Sequence, residues 1–313
     1  MKYLGGKHRL GYEISSVLKY LCPDHKKYLE PFCGALGVFR HMTEDYNCEG
    51  TDIQCDMIEL WKGIKNDSFK IPKKVDDAYY DKIKQSKGPS AIRGFVGFLC
   101  SWNGMFFAGL AKYKNTNRDA CREASNDIIN IEPLLQKKTV NFKCCSYDEL
   151  KPKNALIYCD PPYANTISYS GADGDFDNDR FWKIVRKWSK NNIVIISEEK
   201  APDDFKCIWK KDYSRGRGFK SKTNRDKGGK NVVEKLFIHE NNYDKLYNKV
   251  NKINKMNFTR SGKKGGSGVR RSSTLSKRYN KSPMRSKVRR SPARSKVRRS
   301  PNIKYNSSKM IIK

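Results

Sequence analysis

Although the chain has ten cysteines, it has no CxxC pair and no Cys/His array at zinc-ligand spacing, and its four histidines are scattered. Nothing in that pattern points to a metal site. Cys33, Cys100, Cys159 and Cys207 each sit among apolar residues, so the expectation is reduced, mostly buried thiols in a cytosol-like compartment. Long apolar runs are missing too: none approaches the roughly 18 residues that a membrane-spanning helix requires. The stretch Met1-Lys2-Tyr3-Leu4-Gly5-Gly6-Lys7 has no apolar segment suited to a secretion signal. These absences predict a soluble protein of the cytoplasm or nucleus, with neither membrane nor metal as a partner.

The last scarcity is of acid. Residues 251–313 hold 21 Lys or Arg and no Asp or Glu. Of the formal net charge of +32 over 313 residues, the remainder of the chain carries +11, from 44 basic and 33 acidic side chains. A moderately basic globular part thus precedes a polycation, and the partner of such a charge is a polyanion, most commonly nucleic acid. Within the polycation a nine-residue unit recurs, Ser282–Arg290 and then Ser291–Arg299, with Ser300-Pro301 opening a third copy. It has too few apolar residues to offset chain entropy, so residues 241–313 are expected to be a disordered basic tail until bound. Non-specific grasp of phosphates, passage along a minor groove, nuclear targeting, and phosphate addition at Ser282, Ser291 or Ser300 all fit it. The Lys- and Asn-rich usage fits an A·T-rich genome, such as that of a virus.

Before the tail, periodicity alternates between strand and helix. Leu10, Ile14, Val17, Leu18 and Leu21 recur at helical spacing. Tyr28–Phe32 reads as a strand entering the turn Cys33-Gly34-Ala35-Leu36-Gly37, after which Val38, Phe39 and Met42 suggest a helix. Cys48–Ile53 reads as a second strand and residues 54–65 as a helix. Strand pattern returns at Ala155–Cys159, Ile193–Ile196, Phe205–Trp209 and Val232–Ile238, the last two with no clear helix between them and able to form an antiparallel edge pair. This order predicts an α/β domain with a largely parallel sheet. Residues 66–150 are less regular; Phe95, Phe98, Phe106 and Phe107 there read as core.

Three motifs carry chemistry. In an open α/β sheet, glycines after the first strand let backbone approach a cofactor, and an acid ending the next strand, here Asp52, can accept from ribose hydroxyls. Glycine turns after strands also occur where nothing binds. Asp160-Pro161-Pro162-Tyr163 follows a buried strand; a carboxylate and a carbonyl held by φ-locked prolines can accept both hydrogens of an exocyclic amine, and an adjacent ring can stack on a base. The plain alternative is an Asp-Pro turn ending a strand. Tyr3-Leu4-Gly5-Gly6-Lys7 is either an anion-meeting loop or a flexible arm.

Their order is more specific than any one of them. Tyr3–Lys7, Glu30-Pro31-Phe32-Cys33-Gly34, Thr51-Asp52-Ile53 and Tyr158–Tyr163, with Phe107-x-Gly109-Leu110-x-x-Tyr113 between, resemble the Dam-like class of adenine-specific DNA methyltransferases over roughly residues 1–240. The resemblance implies a doubly wound, Rossmann-like α/β fold, with residues 1–65 and 151–240 catalytic and 66–150 a small helical target-recognition insert. It implies S-adenosylmethionine as cofactor, contacted by Tyr3, Lys7, Glu30, Phe32, Gly34, Asp52 and Asp160. Asp160, Pro161, Pro162 and Tyr163 would hold a flipped adenine of double-stranded DNA. Trp102, Asn103, Lys112, Tyr113 and Asn115 are candidates for DNA contact. Many relatives carry Ser-Asn where this chain has Ser197-Glu198, a departure that bears on any contact from that loop. Methylation of cytosine N4 could use the same acceptors, and a non-catalytic DNA-packaging protein is the reading from another class.

Overall fold

The computed structural model describes residues 1, 3–113, 116–162, 176–214, 231–253 and 256. All of them lie in one compact unit, Met1–Ser261. Helix α1 (Gly11–Leu21) precedes strand β1 (Lys27–Glu30), and strand β2 (Asn47–Asp52) precedes helix α2 (Cys55–Lys65). Helices α3 (Asp77–Gln85), α4 (Ala91–Gly94) and α5 (Ala120–Leu135) lead to strand β3 (Val140–Cys144) and then β4 (Leu156–Cys159). Helix α6 (Asn178–Ser189), β5 (Ile193–Ser197), β6 (Phe205–Ser214), β7 (Asn231–His239) and helix α7 (Glu240–Ile253) complete the order.

The seven strands form one sheet in the order β3-β2-β1-β4-β5-β7-β6. The five from β3 to β5 are parallel; β7 runs antiparallel to both β5 and β6. Successive side chains of a strand face opposite sides, so a sheet covered on both sides needs apolar residues of both parities. Tyr28, Leu156, Tyr158, Ile195, Leu236 and Ile238 enter one core with α1, α2 and α5. Leu29, Ile157, Cys159, Val194, Ile196 and Phe237 enter the other, beneath Phe181, Val185 and Trp188 of α6. The sheet is therefore wound on both faces, as a Rossmann-like domain is. The chain reverses its direction of winding between β1 and β4, which opens a crevice at the carboxyl ends of these strands, where ligands of such sheets bind.

Four details differ from the sequence reading. Val38, Phe39 and Met42 do not build a helix: only a single 3-10 turn, Phe39–His41, forms, because Gly37 packs so closely on Gly11 that a Cβ on Gly11 would lie 2.0 Å from the Gly37 carbonyl oxygen. Strand β3 falls inside residues 66–150, at the edge of the sheet beside β2. The ordered fold continues past residue 240 through α7, whose Asn242, Val250 and Ile253 are buried and whose charged outer face hides it from a search for apolar periodicity. Finally, the thiols are not all reduced. The register pairs Asp52 with Cys144, bringing the end of β3 beside the start of α2, and Cys144 is disulfide-bonded to Cys55 with 5.1 Å between Cα atoms. Cys207 lies exposed on β6, and the other seven cysteines are buried free thiols.

Candidate active site

The turn after β1 is held by its own backbone. Cys33 N–H donates to the Thr51 carbonyl (3.0 Å), and Trp61 Nε1 of α2 donates to the Gly34 carbonyl (2.8 Å). Gly34 has φ +41°, in the left-handed region that favours glycine. A Cβ there would stand 2.9 Å from the Tyr3 ring, so glycine is what lets the N-terminal segment lie against this turn. Tyr3 also packs on Phe98, with ring centroids 5.4 Å apart.

Asp52 closes β2 beside that turn. Its carboxylate accepts from Gly34 N–H and from Gln54 N–H, both at 2.9 Å. Burial raises its pKa above the ordinary carboxylate range, opposed by those two backbone donors, Gln54 first. The next residue, Ile53, is 54 % exposed although apolar. Glu30, at the end of β1, is fully buried; burial pushes its carboxyl well up, against the Tyr28 hydroxyl that donates to it at 2.6 Å. Phe32 turns the other way, into the second core, against Tyr147, Phe176 and Phe181.

Asp160 follows β4 directly. Lys7 Nζ lies 2.8 Å from Asp160 Oδ1 and 3.5 Å from a carboxylate oxygen of Glu234 on β7. The Ser197 hydroxyl, at the end of β5, donates to the same Glu234 oxygen. Parity explains the meeting. Ser197 shares the face of Ile195, Glu234 that of Leu236, and Asp160 continues the alternation of Leu156 and Tyr158, all toward the side that α1 covers. Because β7 is antiparallel, its early residues stand beside the carboxyl end of β5. Asp160 is raised to about 6, first by burial and then by Glu234, with Lys7 opposing both.

Glu234 is the member of this cluster that the sequence reading missed; the signal was an acid inside the apolar run Val232–Ile238. The departure at Ser197-Glu198 also has a structural account. Ser197 serves Glu234, while Glu198 is buried and accepts from the Glu199 N–H. Pro161 and Pro162 follow Asp160, and Tyr163 lies outside the described residues, as does Asn115. Trp102 (40 % exposed) and Asn103, in the left-handed region at φ +54°, sit on a surface turn away from the core. Lys112 pairs with Asp77 at 2.8 Å, both well exposed, and Arg118 lies 4.2 Å over the Tyr113 ring. Phe95, Phe98 and Phe107 are buried and Phe106 partly so, as expected of core.

No group of three or more potential metal ligands occurs among the described residues, and no helix among them is long and apolar enough to cross a membrane. Burial drives the Cys33 and Cys159 thiols well above their ordinary values, so neither is a ready nucleophile at neutral pH.

A parallel sheet with a glycine turn after β1, an acid ending β2 and Asp-Pro-Pro ending β4 defines the class: a Rossmann-like methyltransferase. The chain belongs to the D12 class of N6 adenine-specific DNA methyltransferases, whose family model matches residues 3–94 and 101–225. It is 28 % identical over 229 residues to the retron Ec67 DNA adenine methylase of Escherichia coli, covering 63 % of this chain and 75 % of that protein. The DNA adenine methylase of Haemophilus influenzae is 29 % identical over 232 residues, 64 % of this chain and 79 % of the relative. The type II methyltransferase M.MjaIII of Methanocaldococcus jannaschii is 24 % identical over 251 residues, 66 % and 85 % of the two chains.

Proposed function

We propose that this enzyme methylates adenine N6 in double-stranded DNA, on a base turned out of the stack into the crevice between β1 and β4. The observation that carries the reading is Asp160, followed by two prolines at the end of β4 and held through Lys7 across the crevice from Asp52. The residues present fit S-adenosylmethionine. Asp52 keeps lone pairs for ribose hydroxyls beyond its two backbone bonds, exposed Ile53 offers an apolar surface to a purine, and Gly34 leaves the turn without a side chain. Tyr3, Lys7, Glu30 and Phe32 frame or support that space, Phe32 from the core behind it. When bound, the cofactor supplies an electrophilic methyl group.

The protein's share is position and acceptor strength. The amine of adenine is a poor nucleophile because its lone pair is delocalised into the ring. Asp160 and the Pro161 carbonyl accept its two N–H hydrogens, favouring a pyramidal nitrogen with a freer lone pair for direct in-line attack. The φ-locked Pro161 and Pro162 keep that carbonyl aimed. Turning the base out costs a few kcal/mol, which stacking on Tyr163 would partly recover.

The segment between α2 and β3 is the proposed recognition insert. Exposed Trp102 and Asn103 lie on its surface, the Lys112–Asp77 pair is open enough to water to be exchanged for a phosphate contact, and Tyr113 and Asn115 are the further candidates for DNA contact. The polycation of residues 251–313 adds sequence-independent phosphate binding. Transfer of labelled methyl from S-adenosylmethionine to unmethylated DNA, with product nucleosides identified by mass spectrometry, tests the reading. Label in N6-methyladenine is expected. Label in N4-methylcytosine would move the substrate, and absence of label from folded protein would refute the activity.

A further inference from the structure

Lys7 follows Gly5 and Gly6, Gly5 in the left-handed region at φ +73°, and its carbonyl accepts from Leu10 and Gly11 N–H at the start of α1. Its ammonium is almost wholly buried, at 8 % exposure, between two carboxylates that arrive from different strands. Glu234 is 3 % exposed, in the strand that buries Leu236, Phe237 and Ile238. A carboxylate in such a place is costly, and an apolar residue would pack there more cheaply. Its two polar neighbours, Lys7 and Ser197, both lie at the end of the sheet where Asp160 stands. Lys7 lies within ion-pair reach of both carboxylates, so Glu234 competes with Asp160 for it.

We propose that Glu234 is a positioning residue for methyl transfer, anchoring the Lys7 ammonium and, by sharing it, keeping the Asp160 carboxylate a strong hydrogen-bond acceptor toward the substrate amine. The inference rests on the reading of Asp160 and Pro161 as the amine-accepting pair. Were Lys7 engaged by Asp160 alone, the attraction would be tighter and the carboxylate less basic, hence a weaker acceptor. Among the described residues, the charged or titratable groups that face Asp160 are Lys7 from the segment before α1, Glu234 from β7, Glu30 from β1 and the adjoining Cys159. Of these, Glu30 and Cys159 are shifted by burial toward their neutral forms, which leaves Lys7 and Glu234 to set the charge of the site.

The test is a titration of the Asp160 carboxyl carbon by 13C NMR on the full chain, between about pH 4 and 9, with the signal assigned by D160N. E234Q is expected to move the midpoint down by about one pH unit, because it removes the negative charge that raises Asp160 and gives Lys7 to Asp160 alone. Methyl transfer should lose about ten- to hundredfold in kcat, with KM for DNA within about twofold, and its acid limb should move to lower pH in step with the NMR midpoint. E234D, which keeps the charge on a shorter side chain, should shift the midpoint in the same direction by less and recover part of kcat. If E234Q does not fold, a shifted midpoint in E234D supports the proposal, and an unshifted one overturns it. A folded E234Q with the wild-type midpoint also overturns it, whatever its activity, since a merely structural glutamate would change the melting temperature alone. A wild-type chain that transfers no methyl group would instead refute the functional reading, while the midpoint would still decide whether Glu234 controls Asp160.

Discussion

Asp52 and Asp160 end two strands of one sheet, Asp52 buried and Asp160 18 % exposed, and both are raised above the ordinary carboxylate range, yet they are held by different means. Asp52 rests on two neutral backbone N–H groups, from Gly34 and Gln54, that belong to turns of the fold itself. Asp160 rests on a side-chain ammonium that it shares with Glu234. Backbone donors cannot be removed by a side-chain substitution and do not ionise, so Asp52 is a fixed acceptor suited to neutral hydroxyls. The Lys7–Asp160–Glu234 group is made of full charges at low dielectric, where each member sets the behaviour of the others. On the proposed reading, fixed recognition and adjustable chemistry thus occupy the ends of β2 and β4, with β1 between them.

The strongest way to break that contrast is D160A. It removes the acceptor for which the charged group exists, and methyl transfer should fall by about a thousandfold or more. DNA affinity, which on the proposed reading comes mainly from phosphate contacts, should change by less than about threefold. Labelled-methyl transfer and equilibrium DNA binding on the same protein check both halves. D52A should act on the other side. Loss of hydrogen bonds to a charged acceptor corresponds to about 1.5–3 kcal/mol, or roughly ten- to hundredfold in affinity for S-adenosylmethionine, measured by calorimetry. The acid limb of kcat should stay in place in D52A. A shift there would show that the two carboxylates form one electrostatic unit and not two.

The pH profile sharpens the distinction. On the proposed mechanism the required form of Asp160 is the ionised one, and its pKa is raised to about 6, so kcat should fall below about pH 6 and approach a tenfold loss per pH unit. Because Lys7 lowers this pKa, K7M should carry the limb to higher pH, opposite in sign to E234Q. Stopped-time assays at constant ionic strength read this directly. A wild-type profile flat down to pH 5 would show that the acceptor is not ionised where it matters.

Much of this architecture is legible in the sequence. The apolar runs Ala155–Cys159 and Ile193–Ile196 mark strands buried on both faces, and Asp52 and Asp160, the acids that follow strand patterns, point to the ligand edge. What escaped depends on contacts between distant segments. Glu234 looked like an interruption of an apolar strand, because only the antiparallel setting of β7 places it beside Ser197 and Lys7. The Cys55–Cys144 bond links positions 89 apart, which no local spacing announces. Strand β3 is short, with alternate residues exposed at the sheet's edge, and α7 hides its buried Val250 and Ile253 among Asn and Lys. Local pattern records what each segment buries. It does not record which segments meet.

That disulfide supplies the smallest expected effect and tells the two strand ends apart once more. It ties the first residue of α2 to the last of β3, flanking Asp52, while Cys145 N–H donates to the Asp52 carbonyl at 3.2 Å. Asp160 has no such staple near it. Closing a long loop stabilises a fold by about 2–4 kcal/mol, mostly by restricting the unfolded chain. Reduction, or C55S, should therefore lower the melting temperature by several degrees. Affinity for S-adenosylmethionine should fall only a few-fold, since the backbone donors to Asp52 survive, and the acid limb near pH 6 should not move. Melting curves and cofactor titrations with and without a thiol reductant, using C55S as a reductant-insensitive control, would decide it. An altered acid limb in the reduced wild type would mean that the Asp52 side of the sheet reaches the Lys7–Asp160–Glu234 group after all.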